Sequence, residues 1–139
     1  MLKIFIDWIY VKINLDKKER KGIYIKEGEV RWCALGENVG DEENGKGYIF
    51  RRPVLVFKKF NNNIFWGIPM STKNKDNIYY VKVLLKNTEQ SVIISQLRVL
   101  DTKRLDTHIG YLSDKDFAMI QRSIKDLIKI KSNLKPERF

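Results

Sequence analysis

Two adjacent guanidinium groups, Arg51 and Arg52, stand directly before Pro53 and the apolar run 54-VLVF-57. Arginine stays charged in any environment and needs acceptors, so such a pair must face a carboxylate, water or a phosphate. Ser71, Thr72 and Lys73 follow the next apolar run, 64-IFWGIPM-70. If 53–60 and 64–70 pair as a hairpin turning at about Asn62, Ser71 and Thr72 lie opposite Arg52 at one end of the sheet. An arginine beside a hydroxyl can grip a phosphodiester bidentately and stabilise charge that develops on it. The competing arrangement is an ion pair between Arg52 and Glu37, Glu42 or Glu43 of the preceding segment. The residue pattern leaves both open.

Were the phosphodiester RNA, its own 2′-hydroxyl could be the nucleophile. The protein would then align attack in line, stabilise the phosphorane-like charge and assist proton transfer. Basic and aromatic residues interleave around the same region. Lys46, Lys58, Lys59, Lys73 and Lys75 can neutralise backbone phosphates, and exposed aromatics can stack unpaired bases. Tyr48 and Phe50 are expected to be exposed for stacking, whereas Phe57 and Trp66, inside strand patterns, are expected in the core. Arg51 has no partner assigned by the pattern and is expected at an RNA backbone or in solvent.

Other chemistries find little support. One His108 and the single Cys33 do not make a Cys/His zinc site or an internal disulfide. GxxxxGK[ST], GxGxxG, HExxH and GxSxG are all missing from the sequence, so no metal or cofactor is expected. The 27 Lys+Arg against 17 Asp+Glu give a formal charge of +10, a field that favours polyanionic partners. No window approaches the ~18 uncharged apolar residues of a membrane span. The apolar start 4-IFIDWIYV-11 contains Asp7 and lacks a small-residue cleavage site. A cytoplasmic location and no membrane partner are expected.

The elements that must position these groups follow from periodicity. Residues 1–20 carry helical spacing through Leu2, Phe5, Ile6, Ile9 and Ile13, a stripe expected to pack on the sheet or on a partner. From Glu29 the period becomes two, with Val30, Trp32 and Ala34 on one face of a strand. The glycine-bearing segment 36–50 reads as a long loop, of a kind that is uncommon and often functional. Strands over 53–60, 64–70, 78–86 and 91–95 follow, with turns at 61–63 and 87–90. Ser113 is an expected N-cap, with Asp116 three residues on, for a helix with the stripe Phe117, Ile120, Ile124, Leu127 and Ile128. The tail 132–139 is expected to fray. One domain is expected over 1–139: a helical extension (1–26), a β-barrel core (27–112) and a C-terminal helix (113–130).

Taken in order, 28-GEVRWCALGENVGDEENGKG-47, 51-RRPVLVF-57, 69-PMST-72 and 94-ISQLRVLDTKRL-105 resemble the MazF/PemK toxins of bacterial type II toxin–antitoxin systems. The likeness runs over about residues 27–130. It implies a mainly β fold with α: a small SH3-like antiparallel β-barrel of the CcdB/MazF type with a C-terminal helix, normally a homodimer. It implies a metal-independent endoribonuclease that cuts single-stranded RNA, usually mRNA. It also implies a cognate antitoxin whose acidic, disordered segment crosses the RNA groove. Carried over by position, the arginine before the proline is Arg52, the catalytic Thr/Ser is Ser71, and Thr72 matches a position that commonly bears a hydroxyl. Gln96, Arg98, Asp101 and Arg104 match a late Q-x-R-x-x-D-x-x-R pattern expected to be mainly structural, with Arg98 a possible interface or RNA contact. Two departures stand out. Ser95 replaces an acid–base Asp of some members, and Ile93 replaces their second arginine, so the pair Arg52 and Ser71 carries the catalytic expectation. The alternatives are a CcdB-type toxin that binds gyrase without catalysis, and an inactive relative that retains RNA or antitoxin binding.

Overall fold

The computed structural model describes residues 2–20, 22–73 and 75–129. The outermost ends of the two expected helices, at Met1 and Ile130, and the expected fraying of 132–139 lie outside these residues. Two helices flank the strands: α1 (Leu2–Lys17) and α2 (Asp114–Leu127). The strands are β1 (Glu29–Ala34), β2 (Arg51–Lys59), β3 (Ile64–Ser71), β4 (Tyr80–Leu85), β5 (Thr88–Ile93), β6 (Arg98–Asp101) and β7 (Leu105–Tyr111).

All neighbouring strands pair antiparallel, in the order β4-β5-β3-β2-β1-β7, with β6 also on β3. The sheet bends into an SH3-like barrel because β3 changes partner along its length. Ile64–Gly67 pairs with β6, whereas Met70 and Ser71 pair with β5. A bulge at Phe57, between Val56 and Lys58, adds local twist. Between β7 and β4 the Leu85 side chain lies close to the Gly110 backbone, where an added Cβ would sit 3.2 Å from Leu85 Cδ1.

The run Val54, Leu55, Val56 is wholly buried because both faces of β2 are covered. Leu55 joins Val30, Ile68, Met70, Val92 and Ile120, beneath α2. Val54 and Val56 face the other way, onto Cys33, Phe65, Leu100 and Leu105. Phe57 packs on Phe117, with ring centroids 6.0 Å apart. Among the described residues no helix is long and apolar enough to cross a membrane.

Ser113 caps α2 as its sequence predicts, its Oγ accepting from Asp116 N at 3.1 Å. The apolar stripe of α2 stops short, however: Ile120 is buried, but Leu127 and Ile128 are exposed. Helix α1 forms over nearly its expected length yet turns a different face inward. Trp8, with Val11 and Leu15, docks on Ala34 and Phe50, and Leu2, Ile6, Ile9 and Ile13 remain exposed. Strand β1 is buried beyond its expected face, since Cys33 is enclosed while Trp32 is only half-buried. Trp66, expected in the core, is 40% exposed and meets Phe60 edge-on, with centroids 5.1 Å apart. The second hairpin turns at Lys86 and Asn87 rather than over 87–90. Both have positive φ, 49° and 62°, as a two-residue hairpin turn with the right twist requires.

Candidate nucleic-acid interface

Strand β2 begins at Arg51, so both arginines stand on its first rungs. Arg51 pairs with Ala34 and Arg52 with Cys33 across β1. On the other side Val54 pairs with Pro69, and the same register continued sets Arg52 level with Ser71. The loop after β1 returns beside them through reciprocal backbone bonds between Lys46 and Arg51, of 2.9 and 3.0 Å. A cleft of about 410 Å³ results, lined by Lys46, Arg51, Arg52, Ser71, Thr72 and Lys73, together with Trp32, Pro53 and Gln90. Six of the residues singled out from the sequence therefore share one concavity.

The Arg52 side chain is only 10% exposed and is held by the loop and by β3. Its Nε donates to Asn44 O at 2.7 Å and its Nη1 to Met70 O at 3.1 Å. Its Nη2 lies 2.8 Å from Glu43 Oε1. Of the two arrangements open in the sequence, the loop ion pair is thus present, and it coexists with the position opposite Ser71. Among the described residues three of the five guanidinium N–H groups have partners, which leaves one on each terminal nitrogen. Ser71 Oγ accepts from Lys73 N at 3.1 Å, so its own proton is free to be donated. Thr72 and Lys73 are exposed. Ser91 Oγ, buried under the segment, donates to Lys73 O at 3.3 Å.

Arg51 has partners the sequence pattern did not assign. Its Nη1 donates to Asp106 Oδ2 at 2.9 Å, and its guanidinium lies over the Trp32 ring at 4.7 Å. Both members of that ion pair are well exposed, 38% and 46%, so a phosphate can compete for Arg51 at little energetic cost. Lys75 lies outside the cleft, over the Tyr80 ring at 5.2 Å. Tyr48 is 98% exposed. Phe50 is not available for stacking: it is 8% exposed and meets Trp8 of α1, with centroids 5.6 Å apart. Arg98 is half-buried in a separate cavity with Glu43, Pro69 and Gln96, on the other side of the loop.

The loop is held at several points. Gln96 accepts from Glu43 N and donates to Asp41 O, both at 3.2 Å. Arg104 donates to Ala34 O at 3.0 Å, with burial and then the nearby Arg98 charge lowering its pKa from the usual arginine value. Asp101 caps its own turn by accepting from Lys103 N at 2.8 Å and also binds Arg20. Gln96, Asp101 and Arg104 thus serve the fold around the loop.

Residues 26–128 match the PemK-like, MazF-like toxins of type II toxin–antitoxin systems. The chain belongs to that family. Its fold is similar to that of MazF from Deinococcus radiodurans, with TM-score 0.64 and 18% identity over 78% of this chain and 100% of that one. MazF-mt6 of Mycobacterium tuberculosis gives TM-score 0.56 and 15% identity over 74% and 98%. A MazE–MazF complex from Deinococcus radiodurans gives 0.58 and 17% over 78% and 100%. No curated protein matches the chain.

Helix α1 precedes the segment matched to the PemK/MazF family. Trp32 and Gln90, which also line the cleft, are not among the expected site residues. Trp32 reads locally as a core strand residue; its place beside Arg51 follows only from the pairing of Trp32 with Pro53. Gln90 falls in the expected turn 87–90, and it enters the cleft because β5 starts at Thr88, three residues before the expected strand.

Proposed function

We propose that this toxin is a metal-independent endoribonuclease that cuts single-stranded RNA through attack by the substrate's own 2′-oxygen. The observation that carries the reading is the convergence of Arg52, Ser71 and Thr72 with Lys46, Arg51 and Lys73 in one cleft of a MazF-like fold. The 2′-oxygen bonds to phosphorus as the P–O5′ bond breaks. The 2′-proton is lost, and a proton reaches the departing 5′-oxygen. The extra negative charge falls on the non-bridging oxygens. The two unused N–H groups of Arg52 and the hydroxyls of Ser71 and Thr72 meet it there, while Lys46, Arg51 and Lys73 hold flanking phosphates. Tyr48 offers a face for a neighbouring base. Lys75 and Arg98, outside the cleft, would reach only RNA that extends beyond it.

The family and the MazE–MazF complexes of a relative support a cognate antitoxin with an acidic segment as partner. The excess of positive charge is consistent with such a partner. A homodimer acting in the cytoplasm completes the reading. One observation favours a second one: Arg52 is already engaged by Glu43, Asn44 and Met70, as in a protein that binds RNA without cutting it.

The test is incubation of the pure chain with a random single-stranded RNA pool in EDTA. The expected result is cleavage, reduced about 100-fold in Arg52→Ala and also reduced in Ser71→Ala, with both variants folded. RNA binding with no cleavage would select the second reading. Cleavage equal in wild type and both variants would remove these residues from the mechanism.

A further inference from the structure

The cleft does not end at Lys46. Beyond Lys46 and Gly47 a second groove of about 760 Å³ opens, walled by Ile4 and Asp7 of α1 and by Glu37, Tyr48 and Phe50 of the loop. Lys46 and Gly47 border both cavities, so an extended chain lying in the first passes over them into the second. Gly47 has φ 80°, and a Cβ there would meet nothing within 4 Å, which leaves this saddle bare. The volume is within the range of small-ligand pockets and ample for one base.

The chemistry of the walls differs from that of the first cleft. Ile4 and the exposed ring of Tyr48 present apolar surface suited to a planar base, with buried Phe50 beneath them. Asp7 and Glu37 repel a phosphate and an acidic peptide alike. Their carboxylate oxygens accept from the amino and imino N–H groups of a Watson–Crick edge. Glu37 Oε1 already receives Asn44 Nδ2 at 3.2 Å, which orients that carboxylate. The positive charge sits at the saddle, on Lys46, where the backbone would cross.

We propose that α1 and Tyr48 form a base subsite for RNA, taking an unpaired base with both amino and imino donors on its Watson–Crick edge, as guanine has, next to the phosphate held in the first cleft. The subsite rests on the RNA reading above, and it assigns to α1, which lies outside the family segment, a part in sequence preference. Ile4 and Asp7 form its far wall; Tyr48 stacks on the base.

The test uses the full chain with two substrates: an uncleavable 2′-O-methyl RNA pool for affinity, and a random RNA pool sequenced at its cut ends. Tyr48→Ala is expected to weaken affinity about fivefold or more, with Tyr48→Phe restoring it. Asp7→Asn is expected to reduce a preference for guanine, whose N1–H and N2–H2 groups face a carboxylate together, at one position flanking the cut, and leave preferences at the cut itself. Tyr24→Ala, at another exposed tyrosine away from the groove, serves as the unchanged control. Should wild type bind and cut RNA while Tyr48→Ala and Asp7→Asn keep its affinity and flanking preference, the subsite is wrong and the ribonuclease reading survives. Loss of partner-protein binding in these variants, with RNA affinity and preference intact, would likewise overturn it in favour of a protein-docking groove. If wild type binds no RNA, both readings fall together.

Discussion

The β2–β3 hairpin and the loop that precedes it are neighbours held by different forces. In the hairpin, Val54, Leu55, Val56, Phe65, Ile68 and Met70 are all fully buried, and Asn61 Oδ1 accepts from both Asn63 N and Ile64 N at the turn. The loop has a narrow neck instead: Gly36 N donates to Phe50 O at 3.1 Å and Gly45 N to Gly36 O at 2.8 Å. Polar side chains cross-link its interior, Asn38 N donating to Asn44 Oδ1 at 2.6 Å and Asn38 Nδ2 to Glu43 O at 2.8 Å, and Trp8, Arg52 and Gln96 pin it from outside. The hairpin is therefore a hydrophobic scaffold, and the loop a polar element pinned onto it. That division lets the loop present Lys46 and Glu43 beside Arg52 without disturbing the core.

The comparison is broken most forcefully in the core. Phe65→Ala, at a fully buried position, is expected to destabilise the whole fold by about 3–5 kcal/mol, measured by denaturant unfolding. Gly36→Ala attacks the neck. A Cβ there would lie 2.2 Å from Trp8, at a φ of 87° that side chains rarely adopt. The expected outcome is displacement of α1 and the loop at a local cost of about 1–3 kcal/mol, seen as faster hydrogen exchange in α1 with β2 and β3 still protected. Equal loss of protection in the hairpin would show that the two regions are one cooperative unit.

Gln96→Ala removes two bonds to the loop and is expected to cost about 1 kcal/mol, with faster amide exchange at Glu43. The smallest effect concerns the tether after α1. Burial pushes the Asp101 carboxyl up, but its bonds from Arg20 and Lys103 N outweigh this and hold it below the usual carboxylate value. Its contribution is complete above the ordinary carboxylate range and lost as pH falls through the depressed value. The stability difference between wild type and Asp101→Asn should thus be present at neutral pH and shrink as pH falls below the ordinary carboxylate range. A difference independent of pH would mean that the charge of Asp101 is irrelevant. Cys33 offers a control on the scaffold: burial pushes its thiol up to about 12, so thiol reagents should label it only on unfolding.

What the sequence made legible follows the same division. The hairpin 53–70 and the Arg52–Ser71 register are legible because two short apolar runs and the asparagine turn between them are local signals. Strands β6 and β7 received no individual assignment, since 98–111 mixes charges at Arg98, Asp101, Lys103, Arg104 and Asp106 with only partial burial. The turn at Lys86 and Asn87 lacks the glycine that usually marks such geometry. Phe50 was misread because its burial depends on Trp8, far away in the chain. The inward face of α1 was misread for a related reason. Its longest apolar stripe is the exposed one, and a single tryptophan settles the docking. The carboxylate that binds Arg52 was among the possibilities the sequence left open, and only packing of the loop selects Glu43.

The most direct test of the ribonuclease reading is a single 2′-deoxy substitution at the cut nucleotide of a mapped RNA oligomer, assayed in EDTA. The account predicts that the all-ribose oligomer is cut to 2′,3′-cyclic phosphate and 5′-hydroxyl ends, and that the deoxy oligomer stays whole while still binding. Cleavage of the deoxy oligomer at the same bond would contradict it.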